Sequence, residues 1–141
     1  MVFLALGSNL SSSFGDRFIN INLAISYLED YGIQIINKSN FYETYSHPNK
    51  ENPKFINAVI LVETILPPID LMSVLIFIEE KLERKRGKKN DPRTCDIDII
   101  DYNSQILNLR YNNSDLTVPH KELTLRNFIL FPLQEISPTW E

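Results

Sequence analysis

Apolar residues along this chain switch between a period of two and a period near 3.6, and the switches mark out the elements. Residues 2–6 form an unbroken apolar run ending at Gly7-Ser8-Asn9, which predicts a buried strand entering a turn. Residues 11–16 offer helix-capping side chains, and Phe18, Ile21, Ile25 and Leu28 then repeat at helical spacing up to Gly32, a natural stop. Residues 33–38 predict a strand that resumes after Ser39-Asn40 through 41–44. Residues 45–54 are polar, carry Pro48 and Pro53, and read as a loop. The β-branched run 55–64 predicts a central strand broken by Pro67-Pro68. Leu71, Leu75, Ile78 and Leu82 predict a second helix with proline in its first turn.

Residues 94–102 predict another strand, turned by Asn103-Ser104 toward a short run at 105–107. Residues 112–115 read as a loop, 116–118 as a brief pairing segment, and 122–140 as short helical turns interrupted by Pro132 and Pro138. The order strand, helix, strand, strand, helix, strand is the split βαβ pattern. It predicts an α+β, ferredoxin-like βαββαβ core with an antiparallel-dominated sheet and helices packed on it.

Candidate chemistry concentrates in one strand. Asp96 and Asp98 are two residues apart, so a strand turns both carboxylates to one face and Cys95, Ile97 and Ile99 to the other. Paired ionised carboxylates repel and need positive charge. Oxygen ligands favour Mg²⁺ or Mn²⁺, and two such ions could share the pair and clamp a polyphosphate. An Asp-x-Asp alone is more often a turn cap beside a solvated edge residue. Just before it, however, Arg84, Lys85, Arg86, Lys88, Lys89 and Arg93 are six of the fourteen basic residues. A basic run is usually a solvated face, but beside a metal-ready pair it reads as a phosphate clamp, since arginine forks match phosphate oxygens.

At 141 residues the chain has the length of one domain, 1–141, able to bury a core. Net charge is −4, which argues against nucleic acid as a partner and, with the basic residues clustered, favours a small anionic ligand. The single cysteine excludes an internal disulfide and reads as inert packing. The two histidines lie far apart, and no apolar run approaches the ~18 residues of a membrane span. A soluble, cytoplasmic protein is expected.

Several ordered motifs resemble the 6-hydroxymethyl-7,8-dihydropterin pyrophosphokinase family. They are Ala5-Leu6-Gly7-Ser8-Asn9-Leu10, Phe41-Tyr42-Glu43-Thr44 with Phe55-Ile56-Asn57-Ala58-Val59, Arg84-Lys85-Arg86, and Pro92-Arg93-Thr94-Cys95-Asp96-Ile97-Asp98-Ile99-Ile100. Thr117-Val118-Pro119-His120 and Arg126-Asn127-Phe128-Ile129-Leu130-Phe131-Pro132-Leu133 complete the set, which runs nearly end to end. The resemblance implies transfer of the β,γ-diphosphate of ATP, as co-substrate, to the hydroxymethyl group of a reduced pterin, releasing AMP, with two Mg²⁺ ions held by Asp96 and Asp98. It implies Arg84 and Arg93 as catalytic, phosphate-facing arginines and Arg86, Ile99, Thr117, His120 and Arg126 as further ATP contacts. Phe55 and Phe128 would stack the pterin, with Asn57, Thr44 and Asp96 also on the pterin side. It further implies a monomer, or fusion or association with another folate-pathway enzyme.

On the residues alone, His120 could cap a turn, Arg126 could pair with Glu122, and each phenylalanine could be core. Two other functions stay open: a different two-metal phosphoryl or nucleotidyl transferase of ferredoxin-like fold, and a nucleic-acid module stacking bases on its sheet. The chain also departs from the family pattern. Asn90-Asp91 stands where Trp-Gly is usual, Glu83 where glycine often precedes the first arginine, Ile76 where glutamine is common, and Asp115 where a basic residue can serve the nucleotide. These changes touch loop closure and ATP affinity.

Overall fold

A computed structural model describes residues 1–45, 51–85, 91–111, 114–118 and 127–137, with main chain alone at 109, 111, 114–118 and 127–130. The elements run β1 (Val2–Ser8), α1 (Arg17–Asp30), β2 (Gln34–Lys38), β3 (Tyr42–Thr44), β4 (Phe55–Glu63), α2 (Pro68–Lys81), β5 (Asp96–Tyr102), β6 (Leu107–Tyr111), β7 (Ser114–Val118) and α3 (Asn127–Ile136). The main sheet has the order β2-β4-β1-β5, with β3 also on β4, and every pairing is antiparallel. With β2 and β3 taken as one interrupted strand, this is the interleaved order of a ferredoxin-like fold.

The period of two along β1, β4 and β5 divides the core. Leu4, Leu6, Ile56, Ile60, Ile97 and Ile99 face α1 and α2, where they pack with Ile21, Leu28, Leu71, Leu75 and Ile78. On the opposite face Phe3, Val59 and Ile100 pack with Leu133 and Ile136 of α3. A register shift lets Leu4 pair with Ile99 and Phe3 with Asp101, so Ile100 is the extra residue of a bulge. α3 covers only part of this second face, and the site lies on the same face at the other end of the strands.

Both main helices carry their sequence signals. The Asp16 side chain accepts from the Ile19 N–H at 3.0 Å, and α2 opens on Pro68. Differences fall in the C-terminal half. β6 starts at Leu107, where 105–107 was expected to pair, and β7 already includes Ser114 and Asp115 from the expected loop. Instead of short turns, residues 127–136 form one helix with Pro132 inside it. Proline there forgoes a helix hydrogen bond. Full burial of Leu133 against Phe3, Val59 and Ile100 compensates, an instance of packing overriding propensity.

Candidate active site

The strand register places the chemistry-bearing residues in rows across the sheet. Gly7 of β1 pairs with Asn57 of β4 on one side and Asp96 of β5 on the other. Ala5 likewise stands between Val59 and Asp98. Directly opposed residues share a face, so Asn57, Gly7 and Asp96 form a row about 10 Å from end to end, two strand spacings. The middle of the row is bare because β1 offers only glycine and alanine. A Cβ at Gly7 would lie 3.1 Å from Asn57 Oδ1 and 3.5 Å from Phe55 Cδ1.

At one end of the row, Asp96 is held by both arginines. Arg84 Nη1 donates to its Oδ1 at 3.1 Å and Arg93 Nη1 to its Oδ2 at 3.0 Å. Arg84 Nη1 also donates to Glu79 Oε2 at 2.7 Å, and the same carboxylate oxygen accepts from the Ile97 N–H at 2.8 Å. Glu79 on α2 is only 3% exposed and therefore couples the helix, the strand and the arginine. Burial works against the Arg84 charge, but Glu79, Asp96 and Asp98 together outweigh it and raise its pKa.

Asp98 is half-buried behind Asp96, on the face expected for it. Burial, then the charges of Asp96 and Glu79, push its carboxyl well above the ordinary range despite Arg84 and Arg93. Among the described residues three carboxylates, Glu79, Asp96 and Asp98, stand beside two arginines, and Asp96 and Asp98 are the residues that would hold a cation. Among the described residues no third His, Cys, Asp or Glu completes an all-protein metal site. Two carboxylates completed by phosphate oxygens and water form a ligand set that suits Mg²⁺.

At the other end, Asn57 Nδ2 donates to Thr44 Oγ1 at 2.8 Å, and Phe55 pairs with Thr44 across β3 and β4. Asn9 joins the two ends. Its N–H donates to Arg93 O at 3.0 Å, its Oδ1 accepts from the Arg93 N–H at 2.7 Å, and its Nδ2 donates to Pro53 O at 3.2 Å. Arg93, three residues before the carboxylate strand, and the approach to Phe55 are therefore both held by one buried asparagine.

Of the expected site residues, Arg84, Arg93, Asp96 and Asp98 come together, as do Thr44, Phe55 and Asn57. Ile99 does not bring its side chain to the site. The period that turns both aspartates outward turns Ile99 into the core, 2% exposed, so only its main chain is available to a nucleotide. Thr117 lies in β7 and Phe128 in the first turn of α3, placed by main chain alone. Arg86, His120 and Arg126 lie outside the described residues, as does Asn90. Glu79 is not singled out by the sequence, and Gly7 and Asn9 are marked there only as a turn and part of a family motif, with no role at the site. For Glu79 a signal existed, since it falls four residues after Leu75 on the apolar stripe of α2.

Among the described residues no helix is long and apolar enough to cross a membrane. The model of the 7,8-dihydro-6-hydroxymethylpterin-pyrophosphokinase (HPPK) family matches residues 3–138. The folic acid synthesis protein of Schizosaccharomyces pombe is 35% identical over 139 residues, and the match covers 98% of this chain but 18% of that protein. The 2-amino-4-hydroxy-6-hydroxymethyldihydropteridine pyrophosphokinase of Aquifex aeolicus is 35% identical over 137 residues, covering 97% of this chain and 80% of that one. A crystal structure of a Plasmodium falciparum HPPK-DHPS triple mutant superposes with a TM-score of 0.79 at 17% identity, over 99% of this chain and 40% of that one, a likeness of fold. With a family match over almost its whole length, the chain belongs to the 7,8-dihydro-6-hydroxymethylpterin-pyrophosphokinase family.

Proposed function

We propose that this chain transfers the β,γ-diphosphate of ATP to 6-hydroxymethyl-7,8-dihydropterin, giving the pterin diphosphate and AMP, in folate synthesis. The observation that carries the reading is the row Asn57–Gly7–Asp96. It sets a polar, ring-edge recognition residue and an arginine-flanked carboxylate on one face, with a bare floor between them. A flat ring anchored at Asn57 can lie over Gly7 with its hydroxymethyl arm directed toward Asp96.

In the reaction the hydroxymethyl oxygen bonds to the β-phosphorus. The bond from that phosphorus to the α,β-bridging oxygen breaks, its electrons leave with AMP, and the hydroxyl proton passes to solvent. Asp96 and Asp98 would hold two Mg²⁺ ions, which supply charge neutralisation and a lowered pKa for a bound hydroxyl. Arg84 and Arg93, now on Asp96, would present their forks to the phosphate oxygens as the nucleotide enters. Thr44 fixes Asn57, and Phe55 with Phe128 would stack the ring. Arg86, Thr117, His120, Arg126 and the Ile99 main chain would complete the nucleotide site.

Residues 1–141 would act as one unit, cytoplasmic, either alone or fused to or associated with another folate-pathway enzyme. Relatives named as bifunctional folate synthesis proteins support the fused arrangement.

The test is nucleotide analysis after incubation with ATP, Mg²⁺ and 6-hydroxymethyl-7,8-dihydropterin, against a control without pterin. AMP formed only with pterin is the expected result. ADP, or AMP formed equally without pterin, would overturn the assignment.

A further inference from the structure

The two long helices end in the same hydrogen-bonded turn but with different residues at its left-handed position. After α1, Gly32 N–H donates to Glu29 O and Ile33 N–H to Leu28 O, both at 3.0 Å, with Gly32 at φ 77°. After α2, Glu83 N–H donates to Glu80 O at 3.0 Å and Arg84 N–H to Glu79 O at 3.1 Å, with Glu83 at φ 69°. Both are Schellman turns, whose left-handed residue is usually glycine because a side chain is strained there. Glu83 is a strained occupant standing immediately before Arg84.

Its carboxylate compensates. Glu83 Oε1 accepts from the Ser13 N–H at 2.7 Å, and Oε2 accepts from the Ser13 hydroxyl. These two bonds hold the Glu83 carboxyl below its ordinary pKa. The anchor is itself fixed. Ser12 and Gly15 exchange backbone hydrogen bonds at 2.9 and 3.2 Å, and Ser12 Oγ donates at 2.6 Å to Asn20 Oδ1, on a residue with no exposed surface. A chain of contacts therefore runs from the interior of α1 through the β1–α1 loop to the residue preceding Arg84.

We propose that Glu83 is a positioning residue: tied to Ser13, it holds the left-handed turn that aims Arg84 at Glu79 and Asp96. The catalytic consequence rests on the reading of Arg84 as phosphate-facing; the structural one does not. Glu83→Ala keeps the left-handed requirement and loses the tie, whereas Glu83→Gly loses the tie and the requirement together.

Amide exchange at Arg84 reads the turn without reference to activity, and AMP formation reads the arginine. The expected result is faster Arg84 exchange and a roughly tenfold lower kcat in Glu83→Ala at unchanged pterin KM, the rate equivalent of losing one hydrogen bond to a charged group. Glu83→Gly should return both to within about twofold of the parent, a rescue that loss of a merely stabilising surface contact would not give. Parental exchange and kcat in Glu83→Ala, or equal impairment in the glycine variant, would overturn the proposal. If the parent itself forms no AMP, the functional reading fails. Exchange at Arg84 then decides alone: faster only in the alanine variant supports the positioning role, and identical in all three proteins refutes it.

Discussion

Removing the charge of Glu79 is the sharpest test of how the site is held together. Glu79 is 3% exposed, its Oε2 accepts at 2.7 Å from Arg84 and at 2.8 Å from the Ile97 N–H, and Arg84 keeps a second carboxylate, Asp96, at 3.1 Å. Glu79→Gln preserves shape and an acceptor oxygen but turns the ion pair with Arg84 into a hydrogen bond to a neutral acceptor and the Ile97 N–H bond into a neutral one, at a cost of about 1.5–3 kcal/mol. For a chain of this size that corresponds to a Tm lower by roughly 5–10 °C. Glu79→Ala additionally strands the Ile97 donor and leaves Arg84 short of a partner, raising the loss to about 3–5 kcal/mol.

The Gln variant should also change the need for metal. With Glu79 neutral, Arg84 is left with Asp96 as its charged partner and competes there with a cation, so half-saturation by Mg²⁺ should rise several-fold. Thermal melts in metal-free buffer and Mg²⁺ titrations of AMP formation measure the two effects separately. A Tm within about 1 °C of the parent together with an unshifted Mg²⁺ curve would refute the bridging role assigned to Glu79.

Asp96→Ala and Asp98→Asn should each abolish AMP formation without unfolding the protein, and substantial turnover by both at saturating Mg²⁺ would rule out the metal assignment. Because burial and like charge disfavour ionised Asp98, Asp98→Asn should melt in metal-free buffer no lower than the parent. Asn57→Ala removes the donor to Thr44 Oγ1 and the proposed ring-edge contact; pterin KM should rise about tenfold, the equivalent of one hydrogen bond, and an equal loss for ATP would contradict its placement. Gly7→Ala sets a methyl 3.1 Å from Asn57 Oδ1, and steady-state kinetics should show pterin KM raised more than ATP KM; kinetics identical to the parent would mean that Asn57 gives way freely.

Much of the fold was legible because its hydrophobic periods are clean. Leu71, Leu75 and Ile78 lie on the buried stripe of α2, and the alternation from Cys95 to Ile99 put Asp96 and Asp98 on one face. Ile99 follows the same pattern, so a nucleotide contact there would fall to its main chain. The alternation that turns Asp96 and Asp98 toward the site turns its side chain into the core. The C-terminal helix was not legible, since Pro132 argues locally against it and its support is tertiary, with Leu133 packed on residues from three strands. The role of Glu79, though not its unusual position, was hidden for a related reason. A charged residue on an apolar stripe has meaning only once Arg84 and the Ile97 N–H are known to lie beside it.

The residues that shape the site most are therefore not always those that carry chemistry. Gly7 and Ala5 have nothing to offer a phosphate or a pterin. Yet their registers against Asn57 and Val59 on one side and Asp96 and Asp98 on the other decide what can meet over β1. A one-residue slip of β5 would turn both aspartates into the core and bring Ile97 and Ile99 to the site. Burial of those two isoleucines, with Leu4 and Leu6, resists that slip, and the bulge at Ile100 absorbs the irregularity beyond Asp98, where it leaves the site undisturbed. The hydrophobic pattern that makes the sheet thus also pins the carboxylates opposite the glycine. Core substitutions that loosen β1–β5 pairing should accordingly lower activity before they unfold the chain.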